Sequence, residues 1–245
     1  MSSAIEPAKS AIQEYQLSMT NEELKDIILA NLGDQGVTIG HLDKIVNPSA
    51  KSTKWEIPTL DGGTETTSEI EGIIVFHKLS RARWEGEYKG GGDAPLCTSK
   101  DGFHGEGDPG GECQQCPYAK FTEDSKGESQ RPECRLVKQV FIRRPGDFLP
   151  TTLNVSAINI HNIDRYLSRL LSKGKMHNSV VTKVSLTTDK SKSGYDYPRM
   201  NFAATEILSP EQAKDMNNYT QLIKPMLLEI RMDESDVEET TEPDW

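Results

Sequence analysis

The chain has 245 residues, 35% of them apolar and 27% charged, with a formal net charge of −10, which allows one large domain or two small ones. No stretch approaches the roughly 18 apolar residues of a membrane span, and the opening "MSSAIEPAKSAIQEYQ" lacks the basic start, apolar run and cleavage site of a signal peptide, so a cytoplasmic protein with no membrane partner is expected. The charge is uneven: Phe76 to Arg199 holds 20 Lys and Arg against 15 Asp and Glu, and the rest of the chain 8 against 23, the asymmetry of a polyanion-binding body with acidic flanks.

In chain order, residues 1–19 show little periodicity and are expected to form a flexible N-terminal arm. "TNEELKDIILANLG" predicts a first helix, with Thr20 as N-cap, Glu23 closing a capping box, Leu24, Ile27, Ile28 and Leu32 on one face and Gly33 as the stop. From Trp55 the texture changes to β, and Ile70 to Trp84 is rich in β-branched and aromatic residues without a helical stripe, which predicts a strand. Arg135 to Arg144 and Phe148 to Val155 predict two more, joined by a Pro-Gly-Asp turn. A second helix over Asn159 to Lys173 places Ile163, Tyr166, Leu167, Leu170 and Leu171 on one side and stops at Gly174. Two strands, "SVVTKVSLTT" and "RMNFAATEIL", flank a polar loop, and a third helix opens at Ser209-Pro210-Glu211-Gln212, with Pro225 expected to kink it.

The pattern predicts an α+β protein: an OB-like small β-barrel, or a curved antiparallel sheet with flanking helices, over residues 20–231. All four cysteines fall between Cys97 and Cys134, spaced C-x15-C-x2-C-x17-C, in a segment otherwise full of Gly, Pro, Ser and charge. Cys97, Cys113, Cys116 and Cys134 make the four-thiolate set of one structural Zn2+ in an insertion at 95–135, because such a segment lacks the apolar residues for a core of its own. Disulfides, an iron–sulfur cluster, a redox Cys-x-x-Cys pair and inert buried thiols are the competing readings. His104, in the same loop, reads as solvent-facing.

Candidate contacts for a single strand of nucleic acid are runs that mix cations with flat rings, since cations follow phosphates while rings stack on bases. The first is Phe76, Lys78, Arg81, Arg83, Trp84, Tyr88 and Lys89, in which strand alternation puts Phe76, Lys78 and Trp84 on one face and Arg81 and Arg83 on the other. The second is the loop with Lys190, Lys192, Tyr195, Tyr197 and Arg199. Arg143 and Arg144, and Lys120 with Tyr118 and Phe121, extend the set. Against an enzyme, there is no Gly-rich phosphate loop, HExxH or nucleophile elbow, and His41, His77, His104, His161 and His177 are scattered without paired-ligand spacing.

Residues 232–245, "MDESDVEETTEPDW", hold seven acids and no base and end on Asp244 and Trp245, the composition of a disordered tail whose terminal ring and carboxylate can anchor in a partner's pocket. This tail resembles that of replication single-stranded DNA-binding proteins, which end in an acidic run and an aromatic, usually Phe, used to recruit polymerase, helicase or primase. The cysteine cluster is similar in type to the zinc insertion of zinc-containing single-stranded DNA-binding proteins of tailed phages. Two features depart from that pattern: Trp245 stands in place of Phe, and four cysteines stand where the phage site uses a His with three Cys. The resemblance implies a non-catalytic protein that coats DNA in replication or recombination. A zinc-stapled interaction or regulatory factor that mimics nucleic acid or inhibits a host enzyme is the alternative.

Overall fold

The computed structural model describes Tyr15 and residues 21–33, 41–48, 52–85, 94–123, 125, 127, 129–190 and 196–232. Among these the architecture is α+β, three helices around a nine-stranded mixed sheet that does not close on itself. After α1 (Asn21–Leu32) come β1 (Lys44–Ile45) and a separate hairpin of β2 (Trp55–Pro58) and β3 (Thr64–Thr67). The long β4 (Glu69–Arg83) follows. The insertion then contributes β5 (Cys97–Ser99), β6 (His104–Gly107), β7 (Gly111–Glu112), β8 (Thr122–Glu123) and β9 (Ser129–Gln130). The body resumes with β10 (Arg135–Arg143), β11 (Thr151–Ser156), α2 (Ala157–Ser172), β12 (Val180–Lys190), β13 (Asp196–Ile207) and α3 (Pro210–Glu229).

β4 is the hub. Its first four residues pair antiparallel with β12, Ile73 to Ala82 pair with β10, and its last three pair with β5. β10 pairs on with β11, and β11 takes β1 in parallel, while β12 and β13 form a hairpin. A register shift opposite Phe141 and Ile142 leaves Val75 without a partner residue. Such a bulge reverses which side chains face which layer, so the run Ile73-Ile74-Val75-Phe76 feeds both layers. Ile74 joins Val140, Ile142, Leu153 and Val155 under α2, while Ile73, Val75, Phe76 and Phe141 meet α3. A strand so apolar needs covering on both sides. At Gly72 a side chain would run into Ile142 and the Arg143 carbonyl, which is why β4 and β10 approach so closely there.

The α2 layer is closed by Ile163, Tyr166 and Leu170, as the apolar stripe predicts, and also by Trp55 and Ile57 of the β2–β3 hairpin, which the strand pattern does not foretell. Asn159 in the first turn of α2 is buried; its amide donates to the Pro198 carbonyl (3.1 Å) and accepts from the Met200 N–H (2.9 Å), fixing the helix start to β13. The predicted capping box of α3 forms between Ser209 and Gln212, and the helix continues through Pro225. The arm lies outside the described residues except for Tyr15, which is buried against the α3 layer rather than loose. Residues 233–245, with Asp244 and Trp245, lie outside them as well.

His77 and His177 meet edge to face, 5.1 Å between ring centroids, with His177 Nε2 3.3 Å from the Val75 carbonyl. Burial holds His77 down to about 4, helped by His177 and Lys138 and opposed by Asp164; burial lowers His177 too, opposed by its bond to Val75. The unfolded chain therefore binds more protons than the folded one between about pH 6.5 and 4, so stability is full above pH 6.5 and falls as pH drops through that window. The loss from His77 is on the order of 3 kcal/mol. His77→Asn is expected to flatten this slope in urea titrations at pH 4.5 to 7.5, and an unaltered slope would exclude the pair as its source.

Candidate nucleic-acid interface and cysteine cluster

Each face of β4 has a local occupant. Phe76 stacks on Phe141, with centroids 6.0 Å apart and 21° between planes, and Lys224 of α3 lies over its ring at 5.8 Å. Lys78, only 8% exposed, donates to the Leu228 carbonyl (3.0 Å) and to that of Ile230, satisfying acceptors at the end of α3. Burial pulls its ammonium down to about 8. Trp84 packs against Ala82, Val137 and Met232. The face carrying Phe76, Lys78 and Trp84 is thus closed by α3 and the residues that follow it.

The other face carries the insertion. Arg81 Nε donates to the Gly102 carbonyl (3.1 Å) and its guanidinium bonds the Cys134 thiol. Arg83 pairs with Glu133 (3.2 Å) and stacks on Tyr118, 3.7 Å from the ring centroid. From the far side Lys100 pairs with Glu229, and Arg231 reaches Glu106 (2.6 Å) and Thr98 (3.2 Å). The insertion is clamped to β4 and to the end of α3 by charged contacts from both.

The expectation that this row lines a groove is therefore corrected for Lys78, which is buried and held by the end of α3; Phe76, Arg81, Arg83 and Trp84 are half-buried, each with a partner inside the fold. Arg143 is corrected likewise. It is 3% exposed, donates to the Tyr15 carbonyl (3.0 Å) and lies 5.6 Å from the Tyr219 ring centroid. Arg144 is half-buried and paired with Glu65 (2.8 Å). Tyr88, Lys89, Lys192 and Tyr195 lie outside the described residues.

Two regions keep predicted contacts at the surface. At the root of the β12–β13 hairpin Lys190 is exposed, and Tyr197 and Arg199 are half-buried, both turned to Asp189, which Arg199 reaches at 2.8 Å and Tyr197 at 3.4 Å. On the insertion Lys120 is exposed, Phe121 is 63% exposed, and Phe103, which strand and loop patterns do not single out, is 61% exposed. An apolar-face reading of α2 also leaves out its outer cations, although their four-residue spacing is legible in "HNIDRYLSRLLSKGK".

The cysteines are all free thiols; Cys97, Cys113 and Cys134 are buried and Cys116 is half-buried. Cys113 and Cys116 bracket a turn in which the Cys116 N–H reaches the Cys113 carbonyl at 3.3 Å, and the Cys134 N–H bonds the Tyr118 carbonyl at 2.8 Å. The Cys97 Sγ packs beside Gly105, where an added methyl would press on it. Burial pushes the Cys134 thiol up to about 11, with Arg81 pulling it down and the Cys113 and Cys116 thiols adding to the rise. Four unoxidised thiols suit a soft metal in kind, yet among the described residues no set of three or more His, Cys, Asp or Glu side chains is gathered in metal-holding geometry. Among the described residues no helix is long and apolar enough to cross a membrane. No protein-family model matches the chain, and neither the curated proteins nor the solved structures compared with it give a match.

Arg83→Ala removes both an ion pair and a ring contact, together worth about 1 kcal/mol at a partly shielded site. It is expected to speed limited proteolysis between residues 100 and 131 while leaving unfolding of the sheet nearly unchanged. Digestion at the wild-type rate would show that the insertion is held by other means.

Proposed function

We propose that the chain is a non-catalytic single-stranded DNA-binding protein of replication or recombination, built on an OB-like body. The order of strand pairing carries the reading: β4, β10 and β11 follow one another, α2 comes next, and β12 and β13 return so that β12 pairs with the start of β4. A five-stranded, partly open Greek-key barrel has this path, and in such barrels the loops after the first and fourth strands flank the nucleic-acid groove. Here those loops are the cysteine-bearing insertion and the β12–β13 hairpin, the two regions that retain exposed cations and rings. Lys190, Tyr197 and Arg199 are the contacts on one side, joined by Lys192 and Tyr195; Lys120, Tyr118 and Phe121 are those on the other.

In this reading Cys97, Cys113, Cys116 and Cys134 hold one Zn2+, a structural ion whose binding energy orders the insertion. The acidic tail competes with DNA for the cationic surface and, once displaced, presents Asp244 and Trp245 to a polymerase, helicase or primase. One observation favours the alternative, a protein-interaction or regulatory factor: residues 95–135 carry five bases against eight acids, together with the exposed rings of Phe103 and Phe121, a surface suited to a cationic protein.

Titration of Trp fluorescence with oligo-dT and with duplex of equal length, at several salt concentrations, tests the proposal. Tighter binding of oligo-dT, weakening steeply with salt, is the expected result, and equal or absent binding of both would refute it. Protein purified without added zinc is expected to contain about one zinc per chain, released together with susceptibility of the insertion to protease when thiols are titrated. A metal-free chain with a protease-resistant insertion would remove the ion from the proposal.

A further inference from the structure

The outer face of α2 carries a row of basic residues that the strands do not account for. His161, Arg165, Arg169 and Lys173 recur every fourth residue, all are exposed, and Lys175 follows just past the helix end. A step of four residues advances about 6 Å along a helix axis and keeps successive members neighbours while turning about 40° around it. From His161 to Lys175 the one acid is Asp164, and it is turned aside to pair with Lys138. Among the described residues neither Arg165, Arg169, Lys173 nor Lys175 forms an ion pair with an acid. Arg165 donates instead to His161 Nε2 at 2.9 Å, which steadies its guanidinium beside the head of the row. Lysine or arginine in the last turn of a helix is favoured by the helix dipole, which explains Arg169 and Lys173 but not Arg165 near mid-helix.

The position of the row is as informative as its charge. Asn159 ties the first turn of α2 to Pro198 and Met200, on either side of Arg199 in the strand that leads out of the β12–β13 hairpin. The row of basic residues therefore starts at His161, two residues on from this tie, and its first cation, Arg165, follows less than two turns from it. In a chain of net charge −10, an acid-free stripe of this length marks a surface for a linear polyanion. The row winds about 40° around the helix at each step, a curve that a flexible single strand can follow.

We propose that the α2 row Arg165, Arg169, Lys173 and Lys175 is a phosphate track that continues the hairpin contacts, so that a bound single strand leaves the hairpin and passes along this helix. The inference rests on the proposed single-stranded DNA binding. It adds a site where no ring is needed: the track holds backbone and reads no bases.

The test compares the full chain with R165Q/R169Q/K173Q, all exposed positions, using oligo-dT of increasing length and matched thermal melts to establish folding. For single strands each lost phosphate contact lowers the salt slope by about 0.7, so the triple variant is expected to bind long oligo-dT with a slope shallower by about 2 and an affinity lower by roughly tenfold or more at low salt. Short oligonucleotides that fill the hairpin region alone are expected to show little difference. A wild-type chain that binds oligo-dT and a folded variant that matches it in slope and affinity would overturn the track while leaving the proposed function standing. A wild-type chain that binds no oligo-dT would overturn both. Should a synthetic peptide of residues 233–245 bind the wild-type chain but not the variant, with oligo-dT binding unchanged between them, the row is a seat for the acidic tail and the proposal fails.

Discussion

The fold depends on one requirement, that a fifteen-residue strand with an apolar middle be paired along its length and covered on both faces. β4 satisfies it by taking β12, β10 and β5 as neighbours at different points along its length. Alternation divides its side chains between the α2 and α3 layers, and the bulge at Val75 exchanges the two sets, so that Val75 and Phe76 both face α3. Each remaining element can be described by what it does for this strand. β10 and β11 extend its sheet, α2 seals one side with Ile163 and Tyr166, and α3 seals the other with Tyr219, Ile223 and Leu227. Burial of such side chains contributes on the order of 2 kcal/mol each, so losing either cover would expose a large apolar face.

That arrangement decides where charge is spent. A cation beside a fully covered strand must find acceptors inside the protein, and Lys78, Arg81, Arg83, Lys138 and Arg143 do so, with helix-end carbonyls, a loop carbonyl and thiol, Glu133, Asp164 and the Tyr15 carbonyl respectively. Much of the basic excess in the middle of the chain is thereby internal. Among the described residues, what remains outside lies on the hairpin root, on α2 and, with Lys120, on the insertion, which makes the electrostatic footprint smaller and more directional than composition suggests.

The main strands and helices were legible because their periodicity is strong. β4, β10, β12, β13, α2 and α3 fall close to the segments that hydrophobic pattern and caps predict. The β2–β3 hairpin, carrying the fully buried Trp55, was not legible, since four-residue strands of mixed composition leave no periodic signal. The role of Lys78 was not legible for a definite reason. Alternation correctly separates Phe76, Lys78 and Trp84 from Arg81 and Arg83, but sequence alone does not say that two layers will settle on the two faces. Lys78 looks the same in a sequence whether its partner is a phosphate or the carbonyls at the end of α3. The α2 cations escaped for the converse reason: attention to an apolar stripe identifies the core face and discards the other.

Asn159 has a second consequence, which concerns the edge of the sheet. Among the described residues β13 pairs with β12 alone, so its other side presents backbone groups that an extended segment from another molecule could join. The Pro198 carbonyl and the Met200 N–H, two residues apart on the same side of that strand, are the groups the Asn159 amide occupies. A single side chain thus takes the place of a neighbouring strand's peptide, and Pro198 itself brings no N–H to the ladder. At this point the edge is blunted by a helix residue rather than by another strand, so the sheet stays open without offering these groups to a partner.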